Sequence, residues 1–308
     1  MFKKIGAWIG VIIAGVMASS VSYAQERPEQ GPVIYESPTI KNLSQLYWAL
    51  SKFRPNENGK IDDIYIDNFL FINECSLYQE FSDNEFEWIN IRESARNFLE
   101  ENKSDFPLRF EYTQPLRLAE YDLESQTFDV WEPYKINGIR RFEILAEDLF
   151  EDICNQPAKY TIEGYPKGLF AEMNRPFTLE TIKTPPEIAE IYIKEKMEGI
   201  AITPRKKEEK YDLRDAYLVM KIRFFSYQED VRSIDYVKLT KVLAVLESYE
   251  IYGDKDKTLL LFSENFKRKK KHSNMEEELK KRYQERLKKQ MEKKRKALQE
   301  PQESTPIQ

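Results

Sequence analysis

The chain has 308 residues, a net charge of −5, and 18 Tyr and 18 Phe against only 10 Gly. That length buries a substantial core as one large or two smaller domains, and the composition excludes a disordered or collagen-like chain. His272 is the single histidine and no glycine-rich phosphate loop is present, which removes Ser-His-Asp catalysis, Cys-His catalysis and histidine-ligated zinc from the body.

Lys3 and Lys4 precede an uncharged apolar stretch, residues 5–17, and small and polar residues then lead to Ser22, Tyr23 and Ala24. This is the pattern of a secretory signal peptide, with cleavage expected after Ala24. A retained N-terminal anchor is the alternative, but the apolar core is shorter than the ~20 residues a spanning helix needs. No cysteine follows that core to take a lipid, and no later segment is long and apolar enough to span a bilayer. The expectation is a soluble periplasmic or secreted protein, with residues 25–38 a flexible lead-in to a globular body over 39–266.

Leu43, Leu46, Tyr47, Leu50 and Phe53 recur at helical spacing and predict an amphipathic helix, which Pro55, Asn56, Asn58 and Gly59 break. A second helical region is expected over 64–81. A third covers 84–102, where Phe86, Ile89, Ala95, Phe98 and Leu99 repeat near the helical period behind Asp83 or Asn84 as cap. Beyond Pro107 the pattern changes to strands: "LRFEYTQPLRLAEY", "DLESQ" and "TFDVW" predict a hairpin. The first of these aligns without gaps on "LFAEMNRPFTLETI", residues 169–182, with Glu111 on Glu172, Pro115 on Pro176 and Leu118 on Leu179. Either a strand–Pro–strand element is repeated, which would make two related halves of about 39–155 and 156–266, or the likeness is chance.

Residues 142–153 read as a helix or helix-like connector. "TPPEIAEIYIKEKM" reads as a helix with Thr184 as capping candidate, prolines in the first turn, and Ile188, Ile191, Tyr192 and Met197 on one side. A polar loop follows over 199–210. Residues 215–227, "KVLAVLESYEIY" and "TLLLF" read as strands, the last two joined by "GDKDK", although a helix competes for 242–249. The fold class is α+β: N-terminal helices, a strand-rich core and a C-terminal charged helix.

Cys75 and Cys154 are the only cysteines and no Cys-x-x-Cys occurs. They form either a disulfide closing a loop of about eighty residues, the reading an oxidising compartment favours, or two separate buried thiols.

"NEFEWINIRESARNFLEEN", "RDAYLVMKIRFFSY" and "KVLAVLESYEIYGDKDKTLLLFSEN" resemble a family of exported bacterial proteins classed as a domain of unknown function. The likeness runs over about residues 73–270. It implies a bacterial, exported setting and brings no assigned activity, and so no catalytic or binding residue.

Residues 267–300 hold fifteen Lys and Arg against six Asp and Glu, leaving the body strongly negative. Ser273 with Glu276 makes a capping box, and Pro301 stops the helix before a disordered end over 301–308. Glu276–Lys280, Glu277–Lys281, Glu278–Arg282, Glu285–Lys289 and Glu292–Lys296 put the acid first, each pair contributing ~0.2 to 0.5 kcal/mol. Met275, Leu279, Tyr283, Leu287 and Met291 repeat every four residues and wind around the helix, so a coiled coil is less well supported than a solvated or body-docked helix. Two basic blocks are the candidate binding residues: Lys267, Arg268, Lys269, Lys270 and Lys271, then Lys293, Lys294, Arg295 and Lys296. They suit an envelope protein, an anionic surface or the acidic body of a second copy, and a helix that only keeps the chain soluble is the plain alternative. No specific nucleic acid partner, cofactor or metal is expected.

For catalysis only carboxylates remain. Glu143, Glu147, Asp148, Glu151 and Asp152 are the densest cluster, and on a helix Glu147 and Glu151 would share one face and Asp148 and Asp152 the next. A solvated surface is the leading reading, ahead of a divalent cation site or acid/base chemistry. Trp88, Trp131, Tyr134 and Tyr165 read as core before they read as sugar platforms. The expected function is an exported binding or structural protein with no catalytic residue assigned. The alternatives are a carboxylate-dependent hydrolase of an envelope polymer and a secreted factor acting outside the cell.

Overall fold

The structure is a computed structural model that describes residues 33–197, 214–232 and 238–266, with the isolated positions Lys281 and Lys288. The chain divides between Ile34 and Tyr35 into two units, and every element of the fold lies in the second. The expected signal peptide, the 199–210 loop and the basic blocks of the tail lie outside the described residues.

Helix α1 (Ile40–Ala49) begins at Thr39, whose hydroxyl accepts the Asn42 N–H, and buries Leu43, Leu46 and Tyr47. The second helical region breaks at Glu74 into α2 (Asp63–Asn73) and α3 (Cys75–Phe81). Helix α4 (Glu85–Asn102) is capped by Asn84, which accepts from Glu87. Arg92 of α4 reaches back to Asp67 and Asp63 of α2 at 2.7 and 2.8 Å, and the Trp88 indole donates to Asp67 at 3.0 Å. The guanidinium grips the partly buried Asp67 carboxylate with two parallel bonds, which gives the helix pair a fixed geometry.

The remaining elements are β1 (Arg109–Asp122), β2 (Thr127–Val130), β3 (Ile136–Leu145), β4 (Gly168–Leu179), β5 (Thr181–Lys183), α5 (Pro186–Met197), β6 (Asp215–Arg232), β7 (Lys238–Tyr252) and β8 (Leu260–Asn265). They form one eight-stranded sheet in the order β3-β4-β7-β6-β1-β2-β5, in which β8 also pairs with β7. Strands β4 and β7 run parallel and the other paired strands antiparallel. The sheet therefore draws on both halves of the chain.

Both look-alike segments are strands with a proline inside, but their surroundings differ. Pro115 lies in the antiparallel register of β1 with β6, opposite Tyr217, whereas β4 meets its inner neighbour β7 in parallel.

Alternate residues of β6, Ala216, Leu218, Met220, Ile222 and Phe224, are fully buried, while Lys221 and Arg223 between them face the other way into ion pairs with Glu250 and Glu247. Arg109 of β1 joins Glu247 at 2.9 Å, so cross-strand charges cover that face. Helix α5 packs Tyr192 edge-on against Phe128 of β2 at 5.5 Å and bonds its hydroxyl to the Asp215 carbonyl.

Three expectations need correction or resolution. Residues 142–153 are not a helix: Phe142 and Ile144 alternate inward in β3, paired with Ala171 and Leu169, and turns follow Leu145. The tertiary pairing with β4 makes the start of this stretch a strand whatever its local preference. Thr184 does not cap α5; its N–H donates to the Gln126 carbonyl and its buried hydroxyl has no partner among the described residues. Pro186 at the helix start has no N–H to satisfy. Residues 242–249 are strand, because β7 sits between β4 and β6 with Val242 and Ala244 buried.

Gly164 has a φ of +81°, and a Cβ there would lie 2.6 Å from the Tyr65 ring. Gly164→Ala is expected to cost about 2 kcal/mol, read as a lower urea midpoint at unchanged slope. No helix among the described residues is long and apolar enough to cross a membrane.

Candidate functional site

Helix α1 ends in a sharp reversal. Ser51 takes a φ of +55°, and the N–H groups of Ser51 and Lys52 return to the carbonyls of Trp48 and Tyr47. The turn sends the Lys52 side chain under the helix toward the sheet and lays the Phe53 ring 4.8 Å from Trp48. The Lys52 ammonium lies 2.8 Å from Asp230 of β6, 3.0 Å from the Thr240 hydroxyl of β7 and 4.6 Å from the centroid of Tyr47. Thr240 in turn donates to Asp230 at 3.0 Å. The lysine side chain is 6% exposed and the aspartate 44%. Burial pushes the lysine down to about 8, while the charge and hydrogen bond of Asp230 pull it back up.

In front of this corner lies a groove of about 450 Å³. Leu50, Pro55 and Ile61 supply its accessible apolar lining over the buried Trp48, Phe53 and Leu99, Ser226 and Tyr227 of β6 one wall, and Arg54, Glu100 and Lys103 its charged rim. Its size falls within the range of small-ligand sites. The aromatic lining is held from behind: the Trp48 indole donates to the Tyr165 hydroxyl at 2.9 Å, which donates to the Tyr65 carbonyl at 2.7 Å. Tyr165→Phe keeps the ring and removes both bonds. It is expected to cost about 1 to 2 kcal/mol, measured as a lower Tm, because the indole N–H loses its acceptor.

Among the described residues Arg54 and Lys103 make no ion pair, although both are exposed on an acidic chain. The site thus offers a largely polar groove with two cations at its edge, above apolar side chains that are themselves buried.

The residues singled out in the sequence lie elsewhere. Cys75 and Cys154 are disulfide-bonded, with Cα atoms 5.2 Å apart. The acidic cluster is spread along β3 and the turns after it: Asp148 accepts the Ile40 N–H at the start of α1, and Asp152 accepts from Ala158. Two of the five carboxylates therefore organise backbone. No three His, Cys, Asp or Glu among the described residues gather as a metal site. Trp88 and Tyr165 are core. Trp131 and Tyr134 stack at the surface, 6.0 Å apart, beneath the Arg117 guanidinium at 5.5 and 5.7 Å.

The groove residues were missed because they come from three separate stretches of chain. The one local clue is the cationic, aromatic run Lys52, Phe53, Arg54 directly after a helix.

Residues 62–195 match the model of the family described as Domain of unknown function (DUF4852). The match spans α2 to α5 and contains Leu99, Glu100 and Lys103 of the groove, but neither the Lys52 turn nor β6. The first of the three resembling stretches lies inside it and the other two beyond it. No curated protein matches the chain, and neither does any solved structure.

Proposed function

We propose that this is an exported protein of the bacterial envelope that works by binding. It pairs an acidic body with a basic C-terminal interaction helix, and the body's own site is the groove between α1, α4 and β6, which takes an amphiphilic anion. The observation that carries the groove is the placement of Arg54 and Lys103, without ion-pair partners among the described residues, at its mouth. Export is supported by the signal-like sequence of residues 1–24 and by the Cys75–Cys154 bond, since disulfides persist in oxidising compartments. The helix is supported by the charge split and the acid-first pairs of residues 267–300.

The hydrolase reading has less behind it, because Asp148 and Asp152 already hold backbone amides and two convergent carboxylates are what that chemistry needs. The secreted-factor reading shares the export step and differs only in destination.

The test of the groove uses 8-anilinonaphthalene-1-sulfonate, whose rings and sulfonate mimic the inferred ligand, titrated into the full chain. One saturable site per chain is expected, with affinity falling at least about tenfold in the Arg54→Glu, Lys103→Glu double variant, the equivalent of ~1.4 kcal/mol. Unsaturable binding, or binding indifferent to the double variant, contradicts the groove. For the tail, vesicles containing phosphatidylserine should sediment the full chain and not one ending at Asn265, with the difference fading as salt rises.

A further inference from the structure

Strand β6 outlasts its neighbour. Its eighteen residues run from Asp215 to Arg232, and β7 follows it as far as Lys238 opposite Arg232. Strand β1 covers the other edge only from Asp215 to Arg223, where the ladder closes on Arg109. One further bond, from the Phe224 N–H to the Leu108 carbonyl at 2.8 Å, ends the contact. The chain then leaves the sheet through Pro107, which cannot donate a backbone bond, and Phe106, whose ring packs on Phe69 and Phe98 at 6.2 and 6.3 Å.

The line that β1 would have continued along β6 opens into the groove: Ser226 forms part of its wall, with Leu99 and Lys103 of α4 among its other lining residues. Side chains tend this stretch of β6 locally. The Gln228 amide donates to the Ser226 hydroxyl and to the Tyr227 carbonyl, both at 3.1 Å. Two register shifts, between Phe224 and Ser226 and between Tyr227 and Glu229, and the charges of Glu229, Asp230 and Arg232 are devices that keep such an edge from pairing at random.

We propose that the groove receives an extended peptide segment of another protein, which adds to β6 beyond Arg223 as a strand in line with β1. One of its apolar side chains enters the groove, and an acidic side chain meets Arg54 and Lys103. This rests on the groove reading and names its ligand. Strand addition supplies main-chain hydrogen bonds, and the groove supplies selectivity for every second side chain. Charge selects the partner: Lys52 holds Asp230 and Lys241 lies 3.7 Å from Glu229, so the strand's own acids are offset while the two rim cations have only Glu100 beside them in the lining. A second copy of the body is a poor occupant, since two strongly negative bodies repel.

The test displays a library of random peptides of about twelve residues to the full chain, then synthesises the enriched sequence with single backbone N-methyl groups along its length. The expected sequences combine Asp or Glu with a large apolar residue at an even spacing and exclude proline between them. They displace the naphthalene dye. N-methylation should weaken binding at least tenfold at alternate positions and leave the intervening ones within about twofold, because only every second N–H faces β6. The Arg54→Glu, Lys103→Glu double variant should lose at least tenfold in peptide affinity.

A displacing peptide that tolerates N-methylation everywhere overturns strand addition while the groove stands. A library with no enriched binder also overturns it. Failure of the dye to find a saturable site sinks the groove itself, and this inference with it.

Discussion

Replacing Cys75 and Cys154 by Ser is expected to lower the free energy of unfolding by about 4 kcal/mol. The bond closes a loop of 79 residues, and cross-linking positions that far apart removes loop-closure entropy from the unfolded chain. The loop contains α4, β1, β2 and β3, so the unfolded states it restricts are those in which the helical layer and the first strands have separated. The bond also anchors the short helix α3, none of whose residues is buried, to the turns that follow β3. The measurement is a urea transition of the double variant beside the parent chain with and without dithiothreitol. Parent chain under reductant should move toward the variant, and the variant should be indifferent to reductant. Superimposable curves would show that the bond contributes nothing.

The second large effect is an asymmetry between the partners of the buried ion pair. Lys52 has a folded pKa of about 8, below its ordinary 10.5, so between those values the unfolded chain binds more protons than the folded one. Stability from this group therefore rises with pH from about 8 to about 10.5, by as much as ~3 kcal/mol in all, and is lowest where the lysine is charged in both states. Lys52→Met removes the cost of burying that charge and leaves Asp230, 44% exposed, in reach of water. The variant is expected to be neutral to about 2 kcal/mol more stable at pH 7 and to lose the rise above pH 8.

Asp230→Ala does the opposite, because it strands the ammonium. At pH 7 the lysine escapes by shedding its proton, which limits the loss to about 1.4 kcal/mol, one pH unit below a pKa of about 8. That limit grows by about 1.4 kcal/mol for each further unit of acidification, so the penalty can rise toward roughly 4 kcal/mol near pH 5. Urea midpoints of both variants at pH 5, 7 and 9.5 check the signs. Equal destabilisation by the two variants would refute the account of Lys52 as a costly buried charge.

Helices α1 and α4 were legible from local signals: α1 from its apolar stripe and the breakers beyond it, α4 from its apolar stripe and the cap candidate Asn84, which accepts the bond such a residue is placed to accept. The Thr39 cap of α1 was not read from the sequence. The β1–β2 hairpin and the β7–β8 turn at 253–257 were legible from local signals too. The stretch 142–153 misled because its pairing partner, residues 168–171 of β4, lies beyond the window in which periodicity operates.

The groove could not be read at all. Trp48 and Phe53, Leu99 and Lys103, and Ser226 reach one place only because α1, α4 and β6 converge, and no spacing rule spans those separations. Lys52 was not singled out, and its burial follows from the left-handed turn at Ser51, a residue type that gives no notice of that conformation.

The most direct test of the binding account is amide hydrogen exchange on the full chain, with and without the best displayed peptide at saturation. The groove and the long edge of β6 should gain protection together, at 99–103 and 225–232, while the Trp131 and Tyr134 surface exchanges as before. Protection confined to another face, with both of those stretches unchanged, would contradict it.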